Sequence, residues 1–307
     1  MTQQSLSTRA WAEMALLALI WGASFLAIKL ALAEVPVFTL VAHRVFWATL
    51  LLWIYVLWRG LEIPRSPKIW GAFLMMGILN NIIPFTLMAW GQQFIETGLT
   101  SIFNAATAIF GVLVAAMFFR DERLTPRRGI GVCIAFAGVA VAIGLDSFAS
   151  FDIRSLAQLA VIGGTVSYAF AAAWARGYLS GLAPQVAAAG MLTGATVIML
   201  PLAWVVDGAP EMPQLPVTFA AIGYFAILGT AIAYLLYYRV LSMAGSGNAM
   251  IVTLLIPPVA IILGAVVLGE RLAPEAFAGF ALLALGLMIL DGRMLQMFRK
   301  SSGPEKS

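Results

Sequence analysis

Residues 120–126 read RDERLTP, and residues 268–274 read LGERLAP. The second segment lies 148 residues after the first, and a glycine-rich apolar stretch follows each copy. The matched positions are Glu122 with Glu270, Arg123 with Arg271, Leu124 with Leu272 and Pro126 with Pro274. A charged pair before a proline is also common at helix starts, so the match needs support from the rest of the chain.

The composition is that of a membrane protein. Of the 307 residues, 62% are hydrophobic and 10% are charged, against about 25% charged in soluble domains. One cysteine, Cys133, excludes an intramolecular disulfide, and one histidine, His43, leaves a His/Cys metal cluster without ligands. Basic residues form short clusters between apolar runs, which argues against a nucleic-acid partner. We therefore expect no metal or cofactor, and membrane lipid around most of the surface.

Ten segments are long and apolar enough to cross about 30 Å of hydrocarbon. Because they are apolar on all sides, they predict helices rather than alternating barrel strands. The first could be a signal peptide cut after Ala33, but only Arg9 precedes it, so we expect it to be retained. The predicted spans are 11–33, 37–58, 69–93, 98–119, 128–145, 156–175, 185–206, 218–240, 248–268 and 275–291.

The basic residues predict the orientation of these spans. Fourteen Lys and Arg residues fall on the side of the N-terminus and two, Arg154 and Arg271, on the other side. This bias predicts that both termini are cytoplasmic. Five helices in each half, an odd number, turn the second half upside down, as in secondary transporters. The predicted units are residues 10–146 and 155–293, followed by a cytoplasmic tail, 294–307.

The order of several motifs resembles a known family. WGASFLAIKLAL at 21–32, Pro36, His43-Arg44, the paired ERL-x-P elements and Pro257-Pro258 before LGERL are similar to the drug/metabolite transporter superfamily, specifically its ten-helix EamA-type members. The resemblance covers residues 10–293. It implies two inverted EamA repeats and a bacterial inner-membrane exporter of small metabolites. Such exporters include exporters of amino acids, aromatic amino acids among them. The resemblance also implies a cavity lined by helices three, four, eight and nine with one and six. The oligomeric state stays open and a monomer is compatible with it.

Polar residues in the third, fourth and ninth spans are candidates for substrate binding. Asn80 and Asn81 are costly in an apolar helix unless they face partners or water, and Pro84 removes the hydrogen bond to the Asn80 carbonyl. Asn104 and Thr253 place a polar group near the middle of the fourth and ninth spans. Hydrogen bonding between helices is the alternative role for these groups. Pro84, Pro257 and Pro258 are candidate hinges.

Aromatic residues and one serine complete the predicted site. Ser24-Phe25 aligns with Ser167-Tyr168 at an offset of 143 residues, which places Ser24 at a matched position of the two halves. Rings near mid-span could stack on an aromatic or cationic group. The remaining candidates for substrate binding are Trp21, Phe85, Phe103, Tyr168 and Tyr234.

Three potentially cationic residues, Lys29, His43 and Arg44, lie in the outer part of the first helical hairpin. Lys29 could extend to the interface and pair with Glu34. Alternatively, the three residues form a vestibule or gate that guides a carboxylate-bearing substrate or bonds to helix ends. No acid is available within the spans to neutralise Arg44, which makes Arg44 the strongest functional candidate of the three.

The acidic residues decide between transporter classes. All 14 lie in loops or near span ends, whereas a proton-driven exporter of organic cations usually has an intramembrane carboxylate. Glu13, near the start of the first span, keeps that alternative open, and a facilitator is favoured. An intramembrane enzyme is the alternative from another class. The sequence lacks a general base for such an enzyme, because the only histidine available to Ser246 in Gly245-Ser246-Gly247 is His43 of the opposite half. A turn fits that segment better.

Overall fold

The computed structural model describes residues 8–122, 124–144, 152–211, 213–249 and 251–291. For residues 244–249, 251 and 291 it describes the backbone alone. Arg123 of the first repeat motif and the predicted tail 294–307 lie outside the described residues. The predicted unit boundaries at 146 and 293 lie outside them as well and stay predictions.

The described residues form ten helices, some of them in two or three consecutive parts, and contain no strand. Eight helices are long and apolar enough to cross a membrane, and two further apolar helices are shorter. The prediction of an all-α membrane protein with ten spans is confirmed. The helices are α1 Thr8–Ala31, α2 Val37–Trp58, α3 Pro67–Gly77 with Ile78–Ile82 and Ile83–Gln92, α4 Thr97–Ala105 with Thr107–Phe118, α5 Pro126–Ile143, α6 Ile153–Tyr178, α7 Pro184–Asp207, α8 Pro216–Gly223 with Tyr224–Ile232 and Ala233–Ala249, α9 Ile251–Leu268 and α10 Pro274–Asp291.

Proline sets the start of half of these helices. Pro67, Pro126, Pro184, Pro216 and Pro274 are each the first helical residue, one or two positions before the predicted start. Proline fits the first helical position because its missing N–H would have no partner there and its φ is already helical. The end of α8 also differs from the prediction. Its helical backbone continues through 245–247, where a turn was expected, to Ala249.

The two halves of the chain interlock. Helix α1 packs against α8 and α9 of the second half, and α6 packs against α3 and α4 of the first half. The other large contacts join α2 with α7, α5 with α10, α4 with α9, α3 with α7 and α2 with α8. Each helix pair therefore has a counterpart in the repeat. The counterpart is either another pair or the same pair with its two helices exchanged, as a two-fold relation between inverted halves requires.

The contact between α5 and α10 shows this two-fold relation at single residues. Gly131 lies against Gly286, and Gly138 lies against Gly279. Gly279 and Gly286 each lie 148 residues after one of the first pair, so each glycine contacts the counterpart of the other. A Cβ atom on Gly138 would lie 2.7 Å from the Gly279 carbonyl oxygen. Glycine therefore allows the two backbones to touch.

The contact between α2 and α7 repeats the pattern with polar groups. The hydroxyl oxygens of Thr49 and Thr196 lie 2.9 Å apart in a buried hydrogen bond. These threonines are 147 residues apart in sequence, so two equivalent positions face each other. The Trp53 indole donates a further bond to the Thr193 hydroxyl at 2.7 Å. These bonds fix the register of the two helices.

Ion pairs and capping bonds join the halves on two faces. We call the face at which α1 begins the near face and the other the far face. Near-face ties are Glu13 with Arg239 and both Asp121 and Glu122 with Arg176. Far-face ties are Glu34 with Thr218, Thr39 with Asp207, Glu96 with Arg154 and Thr97 with Glu270. The two copies of the repeat motif therefore lie on opposite faces of the protein.

Candidate functional site

The third helix of each half widens into a π-helical segment in the middle of the protein. In α3 the segment is Ile78–Ile82, and the Ile83 N–H bonds to the carbonyl of Ile78, five residues earlier. Pro84 lies two residues after this segment, and it has no N–H to bond to the Asn80 carbonyl. This missing bond is the disturbance of the helix that the sequence predicted at Asn80. In α8 the segment is Tyr224–Ile232. Such segments occur frequently at functional sites because they redirect side chains and release backbone groups.

The matched serines each face the π-helical segment of the other half. Ser167 of α6 donates to the Leu79 carbonyl at 2.7 Å. Ser24 of α1 packs directly on Gly229, where a Cβ atom would collide with its hydroxyl. The Ser24 hydroxyl donates to the Ile20 carbonyl at 2.8 Å within its own helix. Ser24 thus fits α1 closely to α8 at the level of the site.

Arg44 of α2 reaches across to the second half. Its Nε donates to the Thr230 hydroxyl at 2.8 Å. Its guanidinium carbon lies 3.6 Å from the ring centroid of Phe85 and 6.0 Å from that of Phe225. A cation above an aromatic face is attracted by the ring quadrupole, more strongly when water is excluded. Arg44 is therefore held by α3 and α8 together.

Tyr234 forms the second pole of the site. Its hydroxyl oxygen accepts hydrogen bonds from the amide nitrogens of Asn80, at 3.1 Å, and Asn81, at 3.2 Å. Thr230, the partner of Arg44, lies four residues before Tyr234 on α8. Five predicted residues, Asn80, Asn81, Phe85, Tyr234 and Arg44, are thereby brought together between the halves. Tyr168, the sixth, packs partly buried against the adjoining core of both halves.

The two poles occupy equivalent positions of the repeat. Met191 lies 147 residues after Arg44, Thr230 lies 149 after Asn81, and Tyr234 lies 149 after Phe85. The Asn80 amide approaches the Met191 sulfur at 3.7 Å, as Thr230 approaches Arg44 on the other side. The positive charge is present at one pole only, so the site is pseudo-symmetric in shape and asymmetric in charge.

Lys29 contacts the far-face end of α3. Its ammonium donates to the carbonyls of Gln92 and, at 3.2 Å, Ile95. The fully buried Gln92 side chain in turn donates to the Phe25 carbonyl at 3.1 Å. Arg44 makes its contacts with Thr230 and the aromatic rings instead, and His43 is a partly buried neighbour on α2. The predicted single vestibule is thus divided between two places.

Pairing with Glu34, one of the two roles considered for Lys29, is not what the structure shows. Glu34 accepts hydrogen bonds from the Thr218 hydroxyl and from the Leu215 N–H, at 3.1 Å, at the start of α8. The free N–H groups at a helix start bind carboxylates well. The short distance in sequence between Glu34 and Lys29 did not reveal that such a helix start lies nearby. The hydrogen bond from Thr218 holds the pKa of Glu34 below its usual value.

Glu270, in the second copy of the repeat motif, caps α4. Its carboxylate accepts the Thr97 N–H at 2.9 and 3.0 Å and the Thr97 hydroxyl at 3.0 Å. Glu122, in the first copy, accepts instead from Arg128 at 3.0 Å and pairs with Arg176 at 3.5 Å. Two copies of one motif therefore have different partners, and only the far-face copy ties a helix start of the other half.

Replacing Glu270 by Gln should loosen the far face, because an amide replaces a charge-assisted cap worth about 1.4 kcal/mol. In a Cys133→Ser background, a cysteine at the buried Ile95 position would be labelled about tenfold faster by a membrane-impermeant maleimide added on that side. Glu275→Gln, at an exposed acid in the first turn of α10, is the matched control. Equal labelling in the Glu270 and Glu275 variants would contradict the role of Glu270.

Several predicted site residues lie elsewhere. Phe103 is completely buried in the packing between α3, α4, α5, α6 and α10, away from Arg44. The Trp21 ring packs at a tilt against Tyr237, with 5.6 Å between the ring centroids, between α1 and α8. Asn104 lies at the break of α4, where its carbonyl accepts the Thr107 hydroxyl at 2.7 Å. The others are Thr253, partly buried in α9, and Pro257 and Pro258, inside α9.

Thr230, Phe225 and Met191 contact the candidate site and Glu270 caps α4, and the sequence analysis named none of them as a site residue. The alignment of the halves could have indicated Thr230, because it corresponds to Asn81. Phe225 and Met191 look like ordinary core residues in sequence, and only packing against Asn80 and Arg44 gives them a role.

The family model described as the EamA-like transporter family matches residues 10–144 and again residues 155–290. The chain belongs to this EamA-like transporter family. The double match agrees with the two halves seen in the helix packing. The family assignment also confirms the predicted resemblance to EamA-type members of the drug/metabolite transporter superfamily.

Similar proteins cover nearly the whole chain. A "Probable terminal-alkyne amino-acid exporter" of Streptantibioticus cattleyicolor is 29% identical, with 97% of this chain and 98% of the relative covered. An "Uncharacterized transporter" of Archaeoglobus fulgidus is 27% identical over 91% and 98% of the two chains. The "Uncharacterized inner membrane transporter YedA" of Escherichia coli is 23% identical over 88% and 85%. The EamA-family chain is thus similar to transporters along its length.

A solved crystal structure has the same fold. It superposes with a TM-score of 0.67 at 18% sequence identity and covers 96% of this chain and 99% of its own. At this identity the likeness concerns the fold alone. Together with the apolar helices, the family assignment makes this chain a multi-pass membrane transporter protein that acts on a small molecule.

Proposed function

We propose that this EamA-family protein exports small metabolites, among them amino acids, including aromatic amino acids. Transport would proceed by alternating access between its two inverted halves. The observation that carries the proposal is Arg44. It extends from the first half, donates to Thr230 of the second and covers the Phe85 ring. A substrate group bound to Arg44 would contact both halves, which is the arrangement that alternating access needs.

The ties on the two faces support this mechanism. Glu270, Glu34 and Asp207 hold the halves together on the far face through bonds to Thr97, Thr218 and Thr39. Opening the far face would break these contacts, while the near-face pairs of Glu122 with Arg176 and Glu13 with Arg239 would hold the other face closed. The substrate site would then exchange access between the two sides with little change within each half.

The relative described as a terminal-alkyne amino-acid exporter favours amino acids as the substrate class. The relative described as an inner membrane transporter favours the bacterial inner membrane. Fourteen basic residues against two favour cytoplasmic termini, so that the far face is the outer face. We further propose that the protein acts as a monomer, since each half packs mainly against the other.

Export of organic cations is the second candidate, because Glu13 could bind a cation near the start of α1. In the structure, however, one Glu13 oxygen is already bound by Arg9 at 3.2 Å and by Arg239. Two guanidinium groups leave little negative charge for a substrate cation. The intramembrane enzyme is less favoured still, since the family consists of transporters by its description.

Purified protein in proteoliposomes tests the proposal. Vesicles loaded with a panel of labelled amino acids, aromatic and aliphatic, should release at least one of them faster than protein-free vesicles. A panel of labelled organic cations is run in parallel. No amino-acid flux with clear flux of a cation would favour the second candidate. Conversion of a compound without flux of the intact molecule would favour an enzyme.

The asparagines allow a separate check on the location of the site. Asn81→Ala should reduce flux about tenfold, because the Tyr234 hydroxyl loses one of its two amide donors. Asn104→Ala, outside the Arg44 cluster, should retain most of the flux. Monodisperse protein is measured by fluorescence-detected size exclusion. If Asn81→Ala lowers flux and folded protein in equal measure, the amide serves helix packing alone.

A further inference from the structure

The Arg44 guanidinium has donors to spare. A guanidinium carries five N–H groups, of which Nε–H binds Thr230. Thr230 accepts this one bond from Arg44 and donates its own hydrogen to the Phe225 carbonyl at 2.8 Å. None of the ion pairs among the described residues involves Arg44. Its outer N–H edge is therefore the natural partner of a bidentate anion such as a carboxylate.

The Tyr234 hydroxyl supplies a further donor beside this charge. Its oxygen accepts two amide hydrogens, from Asn80 and Asn81. A phenol oxygen in that state still has one hydrogen, which has to point away from both amides. Thr230, which binds Arg44, lies four residues before Tyr234 and so about one turn away along α8. The Tyr234 hydrogen and the guanidinium are thus presented on the same side of α8 and can serve the same acceptor.

Asn81 supplies the complementary group. Its side chain is completely buried, and its Oδ1 has no hydrogen-bond partner among the described residues. A buried polar atom without a partner is destabilising, so a ligand group that bonds to it is favoured at this position. Whichever way the amide is turned, Tyr234 satisfies only one of its two ends. The free acceptor suits the N–H of a substrate ammonium group.

The charge asymmetry of the site gives the substrate one orientation. Arg44 at one pole corresponds in the repeat to the neutral Met191 at the other, next to Asn80. A ligand with a carboxylate at one end would place it at Arg44, and its ammonium would lie toward Asn81. The Phe85 ring beneath Arg44 and the Phe225 ring form an apolar wall beside the guanidinium.

We propose that the site recognises the free α-carboxylate of its substrate through the Arg44 guanidinium and the Tyr234 hydroxyl, and the α-ammonium through Asn81. This inference rests on the proposed function and specifies which groups an amino acid must carry. Compounds with an ammonium but no carboxylate, such as amines and amino-acid amides, are excluded because they would leave Arg44 buried without its anion.

Binding of matched compounds to the purified protein tests the inference. Isothermal titration compares L-phenylalanine with 3-phenylpropanoate, 2-phenylethylamine and L-phenylalaninamide, and L-leucine with its corresponding acid, amine and amide. We expect the amino acids to bind best, the acids next, and the amines and amides at least tenfold more weakly than the acids. An amine that binds as tightly as the parent amino acid would overturn the inference.

Two conservative variants separate recognition from folding. Tyr234→Phe should weaken binding of the amino acids and acids about tenfold while leaving the weak binding of amines unchanged. Tyr237→Phe, one turn further along α8, keeps its ring on Trp21 and should change nothing. Equal weakening of acids and amines by Tyr234→Phe would reduce Tyr234 to a structural role and overturn the assignment.

The binding and flux measurements fail independently. If vesicles release amino acids but amines compete equally well, the carboxylate site is wrong and the export function stands. If no amino acid is transported but simple carboxylates bind and Tyr234→Phe weakens them, the carboxylate site stands and the substrate class in the proposed function is wrong.

Discussion

Replacing Arg44 by Gln is expected to lower amino-acid flux at least about a hundredfold, the largest effect of any single polar substitution in the protein. The physical reason is the loss of a charge-assisted bidentate contact in a water-poor site, about 3 kcal/mol. The variant also loses the cation above the Phe85 ring, 3.6 Å away. Initial rates of efflux from proteoliposomes, measured over a range of substrate concentrations, would give both the maximal rate and KM.

Two further arginine variants make this result interpretable. Arg44→Lys keeps the charge but not the planar fork, so it should recover part of the flux. Arg65→Gln, at an exposed residue of the loop between α2 and α3, should change flux less than twofold, because surface substitutions away from the site have small effects. If Arg44→Gln protein is monodisperse and transports with an unchanged rate and KM, Arg44 has no part in the substrate pathway.

The ten helices could be predicted because the membrane leaves a long apolar run no other way to pair its backbone groups. Their starts were predicted less well, since a proline can belong either to a loop or to the first helical position. The inverted arrangement followed from the paired ERL-x-P motifs and an odd helix count. The α5–α10 and α2–α7 contacts then confirmed it with residues that the motif did not include.

The candidate site was only partly accessible to the same reasoning. Arg44, Asn80 and Asn81 could be found because charged and amide groups in an apolar helix need a reason to be there. Phe85 and Phe103 could not be told apart, since both are aromatic and near mid-span. The rotation of each helix about its axis puts Phe85 under Arg44 and Phe103 in the core.

Partners across the halves were the least predictable feature. Thr230 binds Arg44 although the two residues are 186 positions apart in the chain. Thr230 lies in the π-helical segment of α8, which contains no proline that would have predicted it from the sequence. Glu34 likewise binds the N–H groups at the start of α8 and not the nearby Lys29, because unpaired helix amides bind a carboxylate at short range. Such choices depend on how helices pack, which local sequence does not encode.

Gly138→Leu is expected to prevent stable folding, the largest effect on stability of any substitution considered. A Cβ atom at this position would lie 2.7 Å from the Gly279 carbonyl oxygen and 2.5 Å from the Leu283 nitrogen. Both are backbone atoms of α10, so no side chain can move aside to make room. The cost exceeds the usual 1–3 kcal/mol of overpacking, because two helices have to separate along their whole contact.

Gly129→Leu is the matched control, because it makes the same change in the same helix where a Cβ atom would meet nothing within 4 Å. Fluorescence-detected size exclusion at equal expression should give a single symmetric peak for Gly129→Leu and little or none for Gly138→Leu. Gly286→Leu should behave like Gly138→Leu, because the two positions are repeat counterparts that each touch backbone of the other helix. A well-folded Gly138→Leu protein would mean that α5 and α10 do not pack in this register, and the two-fold relation between the halves would lose its closest contact.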